Sequence, residues 1–281
     1  MLTLILAAAL TLPPQKTEAV IGVYAIHLQS GRTAGVRETE RFPMGSVYKF
    51  PIALAVLKRV DGGTLQLGRE VTIEPKDFAP GWSPLRDGAN GQPITLTVRE
   101  LLRHMVAISD NTASDALLRL IGGPLSVTTR MAELGFSGIR IDRSETQMAK
   151  DLHAPGGVER YSMDARDTTS PHAMAELLVA FWQRKDGLSK ESHDLLVQWM
   201  TETTTGSRRL ERAMPAGAVI AHKTGTMPAT VNDAGIVVLG DDEVAVAVFT
   251  KRGFTSKEQD REDDLAAAAR AAYDAVIKPA P

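Results

Sequence analysis

The chain has 281 residues, 43% of them hydrophobic and 23% charged. It can therefore bury a sizeable core as one large domain or two intimate ones, which excludes disorder, collagen and coiled coil. Thirty-two Lys and Arg stand against thirty-four Asp and Glu with no basic block, so nucleic acid is disfavoured as a partner, and the absence of cysteine excludes disulfides, thiolate metal sites and a cysteine nucleophile.

Residues 1–12 are nearly all apolar and end at Pro13 and Pro14, which reads as the apolar region of a secretory signal. No basic residue precedes Lys16, so the signal is atypical or truncated, and the expected location is periplasmic or secreted. The stretch is shorter than the roughly 20 apolar residues of a spanning helix, and no later segment comes close. Residues 20–28 and 33–38 read as two strands separated at Gly31. Helix punctuation dominates the middle: Thr97 with Glu100 forms a capping box, Asp110 caps a helix closed by Gly122 and Gly123, and Pro124, Pro171 and Ser189 each start another. Residues 218–222, 234–239 and 243–250 read as three more strands, followed by an Ala-rich helix over about residues 259–277.

This layout predicts an α/β (α+β) fold: a five-stranded antiparallel sheet flanked by helices, carrying an inserted all-helical domain with the active site in the cleft between them. The expected division is a leader in residues 1–18, the sheet domain in 19–45 and 206–281, and the helical domain in 46–205, which includes a loop at 142–168.

Candidate chemistry begins at Ser46-Val47-Tyr48-Lys49, where a turn containing Pro43 and Gly45 runs into an apolar helix. At i and i+3 the Ser46 hydroxyl and Lys49 amine share one face near a positive helix N-terminus, where a lysine of lowered pKa can activate a serine. Alone, this pattern is equally that of an N-cap serine beside a solvated lysine. Ser109-Asp110-Asn111 before a helix and Lys223-Thr224-Gly225 at a strand's end, with Thr226 after it, are each ordinary singly but follow in order.

With these three motifs the sequence resembles the serine β-lactamase and penicillin-binding protein superfamily over about residues 19–277. Asp142-Arg143-Ser144-Glu145, followed by Arg166-Asp167-Thr168-Thr169, points to class A within it. The resemblance implies a β-lactamase in which Ser46 is the nucleophile and Lys49 and Glu145 share the base role, with the order of proton transfers left open. It further implies that Ser109 passes a proton to the leaving nitrogen and that Glu145 activates the deacylating water. Asn111 would hold the substrate's side-chain amide, and the backbone N–H groups of Ser46 and Thr226 would form the oxyanion hole. Lys223, Thr224, Gly225 and Thr226 would face the substrate carboxylate, while Arg143 and Asp167 would close the loop as an ion pair. No metal or other cofactor is implied, and the expected partner is a small-molecule β-lactam met by a monomer.

Three features depart from the family pattern. The segment after Lys223 offers no arginine, so Arg209 is the expected substitute, the alternative being that Arg208, Arg209 and Arg212 form a solvated basic turn. Ala149 stands where the family usually has an Asn that helps hold water, leaving Gln147 or a backbone carbonyl to replace it, or slower deacylation. Arg143 and Asp167 are 24 residues apart, which lengthens the loop into either a flap beside the pocket or a bulge into solvent. Trp82 either walls the pocket or anchors its own loop. The six histidines show no metal-ligand spacing and read as structural. The alternatives in function are a D-alanyl-D-alanine peptidase with the same motifs, and a β-lactam sensor domain, which would need membrane spans.

Overall fold

A computed structural model of the protein describes residues 7–8 and 10–277, so residues 1–6 and 9 of the expected leader lie outside the described residues. A two-residue strand, β1 (Ala7–Ala8), precedes the first long apolar run, which forms β2 (Val20–His27) and then β3 (Thr33–Val36). Because side chains alternate along a strand, β2 buries Ile21, Val23 and Ala25 on one face and Tyr24 and Ile26 on the other. That two-sided burial explains its unbroken hydrophobicity.

After β4 (Phe42–Pro43) comes a single 3-10 turn, Gly45–Tyr48, and then helix α1 (Lys49–Asp61), buried from Lys49 to Leu57. The middle of the chain is not wholly helical as expected. Strands β5 (Glu70–Ile73) and β6 (Ile94–Thr97) pair antiparallel around the short helix α2 (Pro84–Gly88). At four residues each and mostly half-buried or exposed, these strands leave little hydrophobic pattern to read. Helix α3 (Val98–Ala107) carries the expected capping box, with Thr97 and Glu100 each bonded to the other's backbone N–H, and buries Val98, Leu101, Leu102, Met105 and Val106 at helical spacing. Helices α4 (Asn111–Leu120) and α5 (Pro124–Glu133) follow.

The long loop is folded: it holds α6 (Glu145–His153) and α7 (Gly157–Met163), joined through the left-handed Gly156. It ends at β7 (Thr168–Thr169), which pairs with β4. Next come α8 (Pro171–Trp182), α9 (Lys190–Thr201) and the one-turn α10 (Leu210–Ala213). The chain then forms β8 (Val219–Met227), β9 (Thr230–Leu239), β10 (Asp242–Lys251) and α11 (Glu258–Ile277).

The five strands β3-β2-β10-β9-β8 form the antiparallel sheet in that order, with β1 added in parallel at the outer edge of β3. On one face α11 packs through Leu265, Ala268, Ala269, Ala272, Tyr273 and Val276 against Val244, Val246 and Val248. On the other face Ala245, Ala247 and Phe249 join the core of the helical block. The chain leaves the sheet after β3 and returns to it at β8, so the helices lie between two sequence-distant halves of one sheet. Among the described residues, no helix is long and apolar enough to cross a membrane.

Candidate active site

Ser46 lies in the 3-10 turn and Lys49 is the first residue of α1. Ser46 borders two clefts, whereas Lys49 turns its amine inward to Ser109, Asn111 and Glu145. The Lys49 side chain is fully buried. Its Nζ donates to Ser109 O and to Asn111 Oδ1, each at 2.7 Å, and stands 3.0 Å from Glu145 Oε1. Two of these three oxygens, Ser109 O and Asn111 Oδ1, accept well-aligned hydrogen bonds from it. Glu145 Oε1, buried within this ion pair, has no well-aligned hydrogen-bond donor among the described residues.

Ser109 adopts the left-handed conformation, φ 62°, uncommon for a residue other than glycine. This directs its carbonyl to Lys49 while its hydroxyl accepts from Lys223 Nζ at 2.9 Å. Burial, and after it the nearby Lys49 ammonium, push the Lys223 pKa well below the usual lysine range. The Asp110 side chain caps α4 at Ala113 N and also receives Ser83 Oγ and Leu85 N, fixing the Trp82 loop to the helix. Asn111 adds a bond from its amide to Pro80 O.

Glu145 begins α6, whose entry is held by a residue that sequence reasoning passed over. Asp115, buried on α4, accepts from Glu145 N at 2.7 Å and from Thr146 N at 3.0 Å. Its available signal was its place four residues after Asn111, an acid on the buried face of an amphipathic helix. The loop's entry and exit meet at Asp167, which accepts from Asp142 N, Arg143 N and Arg143 Nε. Arg143 also reaches Asp151 and Asp164, and its guanidinium stacks on the buried ring of Tyr161 from α7.

Strand β8 runs to Met227, so Lys223, Thr224, Gly225 and Thr226 lie within it rather than at its end as expected. It presses against the serine turn at Gly225, where a Cβ would stand 2.4 Å from Met44 O and 3.0 Å from Ser46 N. Only a residue without a side chain permits this approach, which brings the amides of Ser46 and Thr226 to adjoining places. Asn232, also missed by sequence reasoning, fastens the same seam by donating to Pro43 O and Met44 O.

Arg209 is 3% exposed. Its Nη2 donates to Thr226 Oγ1 at 2.6 Å, its Nη1 to Gly225 O and Asn232 O, and its Nε to Glu262. Arg208 and Arg212 turn instead to Asp263, so the three arginines are not one solvated turn. Two clefts flank Ser46. One, of 310 Å3, lies toward the loop and is lined by Glu145, Met148, Ala149, Leu152 and Val158. The other, of 420 Å3, lies toward Thr224, Thr226 and Arg209. Trp82 borders both clefts, while its Nε1 donates to Ile108 O. Wall and anchor are thus the same residue. The long loop lines the first cleft from α6 and α7, and Gln147 is turned to Asp151.

The chain matches the family described as "Beta-lactamase enzyme family" over residues 5–276. It is 36% identical over 250 residues to "Beta-lactamase VEB-1" of Pseudomonas aeruginosa, covering 85% of this chain and 80% of that protein. The crystal structure of a β-lactamase from Chitinophaga pinensis superposes with a TM-score of 0.83 at 36% identity, covering 92% of this chain and 94% of that one. A mutant of the class A β-lactamase of the last common ancestor of Gram-negative bacteria gives a TM-score of 0.82 at 32% identity, again over 92% and 94%. A match across nearly the whole chain, with the same sheet and inserted helices, shows that the protein belongs to the class A serine β-lactamases.

Proposed function

We propose that the protein hydrolyses β-lactams through an acyl-enzyme on Ser46 and releases it with a water activated by Glu145. The observation that carries this reading is the unbroken line of contacts from Glu145 through Lys49 and Ser109 to Lys223, running past Ser46 between its two clefts. Lys49 Nζ donates to Ser109 O and Asn111 Oδ1, and Glu145 Oε1, which takes no well-aligned hydrogen bond among the described residues, is the oxygen placed to accept a proton. The Ser46 proton passes to this carboxylate, through Lys49 or a water, as Oγ attacks the lactam carbonyl. The carbonyl oxygen gathers charge against the N–H groups of Ser46 and Thr226. Collapse breaks the C–N bond, and Ser109, hydrogen-bonded to Lys223, gives its proton to the ring nitrogen and recovers one from Glu145 through Lys49 or a water, which returns Glu145 to a carboxylate.

In the second half Glu145 takes a proton from water as it attacks the ester, and that proton passes to Ser46 Oγ as the ester C–O bond breaks, restoring both groups. Asn111 and the 310 Å3 cleft receive the acyl side chain, with Trp82 as one wall. Thr224, Thr226 and Arg209 receive the carboxylate in the other cleft. Because Arg209 Nη2 already donates to Thr226 Oγ1, the Thr226 hydroxyl hydrogen is left to point at the substrate. With Ala149 apolar and Gln147 engaged by Asp151, the water rests on Glu145 and backbone groups, and deacylation is the slower half. We also propose export through the apolar segment in residues 1–12, action as a monomer, and the two-part organisation of sheet domain and helical domain.

Glu145→Gln tests the mechanism. Mixed with a chromogenic cephalosporin, this variant is expected to accumulate a full mass adduct on Ser46 while turnover falls by about a hundredfold to ten-thousandfold. Hydrolysis at the unmodified rate would refute the proposed role. A D-alanyl-D-alanine peptidase or sensor would instead leave the unmodified protein persistently labelled.

A further inference from the structure

Strand β8 presents two rows of side chains. Lys223 points to Ser109 and the helical block, whereas His222 belongs to the row of Thr224 and Thr226 on the opposite face, toward α10. His222 is 1% exposed, and its Nδ1 lies 2.9 and 3.0 Å from the two carboxylate oxygens of the fully buried Asp233 on β9. Its Nε2 is 3.5 Å from Glu211 Oε1 on α10. Asp233 Oδ2 also accepts from Leu210 N, the first residue of α10, and the N-cap of α10 is Arg209. Gly235 faces His222 across the ladder, where a Cβ would stand 2.4 Å from His222 Cβ.

The reaction described above uses none of these three groups. A neutral imidazole has a single N–H and could donate to only one of its two acidic neighbours, whereas an imidazolium donates to both. Burial opposes that charge, but the Asp233 carboxylate and then Glu211 outweigh it and hold the His222 pKa up at about 9. Glu211 is correspondingly lowered, chiefly by its bond to His222. The charged groups facing the ring are Asp233 from β9 and Glu211 from α10. Lys223, next on β8, faces away, and Glu262 of α11 is directed at Arg209.

We propose that the His222 imidazolium, held between Asp233 and Glu211, is a positioning residue that locks α10 onto β8 and β9 and so sets where Arg209 meets Thr226, the place that receives the carboxylate of a β-lactam. The inference rests on the reading of that cleft given under Proposed function.

The test compares a carboxylate-bearing cephalosporin with its neutral ester, measuring KM and kcat from about pH 6 to about pH 10, a window that spans histidine's titration. With the acid substrate, the unmodified enzyme is expected to show KM rising as pH passes through about 9, while kcat changes less. In His222→Asn, KM for the acid is raised about tenfold even at neutral pH, the step near pH 9 is gone, and kcat/KM for the ester is unchanged. Glu211→Gln, a change at a partly exposed site, keeps the test alive if His222→Asn does not fold; it is expected to move the KM step to lower pH. An equal loss on both substrates, or a step near pH 9 that survives in His222→Asn, would overturn the inference alone. An unmodified enzyme that is never acylated at Ser46 would overturn the reading of the site and the inference together.

Discussion

Arg209 donates from Nε to Glu262, from Nη1 to the carbonyls of Gly225 and Asn232, and from Nη2 to Thr226. Four directed contacts from one buried, planar cation cannot be met by a lysine, whose ammonium is a single point on a flexible stem. Arg209→Lys is therefore expected to cost about 1–3 kcal/mol of stability by leaving buried carbonyls unpaired. It should also raise KM for acidic β-lactams well above any change in kcat, as urea unfolding and steady-state kinetics would show. At this scale sequence and structure agree best where partners are close in the chain. Thr97 and Glu100, three residues apart, make the capping box, and Asp110 caps the helix that follows it. Asp115 with Glu145 and His222 with Asp233 were not legible, because each joins residues from different elements. A polar side chain inside an apolar segment looks, in sequence, like one that faces water.

At the scale of elements, the folded loop depends on Arg143, which lies between Asp151, Asp164 and Asp167 and is backed by Tyr161. Asp167 is 1% exposed, so removing the guanidinium strands a carboxylate with little access to water. Arg143→Ala is expected to destabilise the protein by about 3–5 kcal/mol. It should also expose the α6–α7 segment to protease, which digestion followed by mass spectrometry would locate. The pair was readable only through resemblance, and the two helices inside the loop were not. The Gly and Pro content around residues 155–157 suggested irregular chain, but Gly156 supplies the left-handed link between two short helices. Apolar runs identified the long strands, while β5 and β6 escaped notice because four-residue strands with only partial burial carry little pattern.

At the scale of the whole molecule, the segment that leads into β2 is bound to the far end of the chain. Lys16 N and Thr17 N donate to Asp264, Lys16 Nζ pairs with Asp263, and Glu18 accepts from Thr255 N. The Lys16 hydrogen bond, followed by Arg212 and Arg208, holds Asp263 down at about 2, and the Thr255 backbone N–H does the same for Glu18. A carboxylate depressed in the folded state adds stability above its unfolded pKa of about 4, and that stability is lost as pH falls through the folded value. Between about pH 4 and about pH 2 this attachment should therefore loosen. Protection of the Lys16 and Thr17 amides from hydrogen exchange, taken relative to the intrinsic rate at each pH, should fall in that window, ahead of that of the β2 amides.

The meeting of the loop's entry and exit at Asp167 also bears on how such proteins diversify. Since Asp142, Arg143 and Asp167 pin both ends together and Asp115 independently secures the amide of Glu145, the turn between α6 and α7 can be lengthened or exchanged without moving Glu145, provided that Asp151, Asp164 and Tyr161 still surround Arg143. The clasp turns this far part of the loop into a replaceable cassette: its outline reshapes the mouth of one cleft, while Glu145 stays where the scaffold put it.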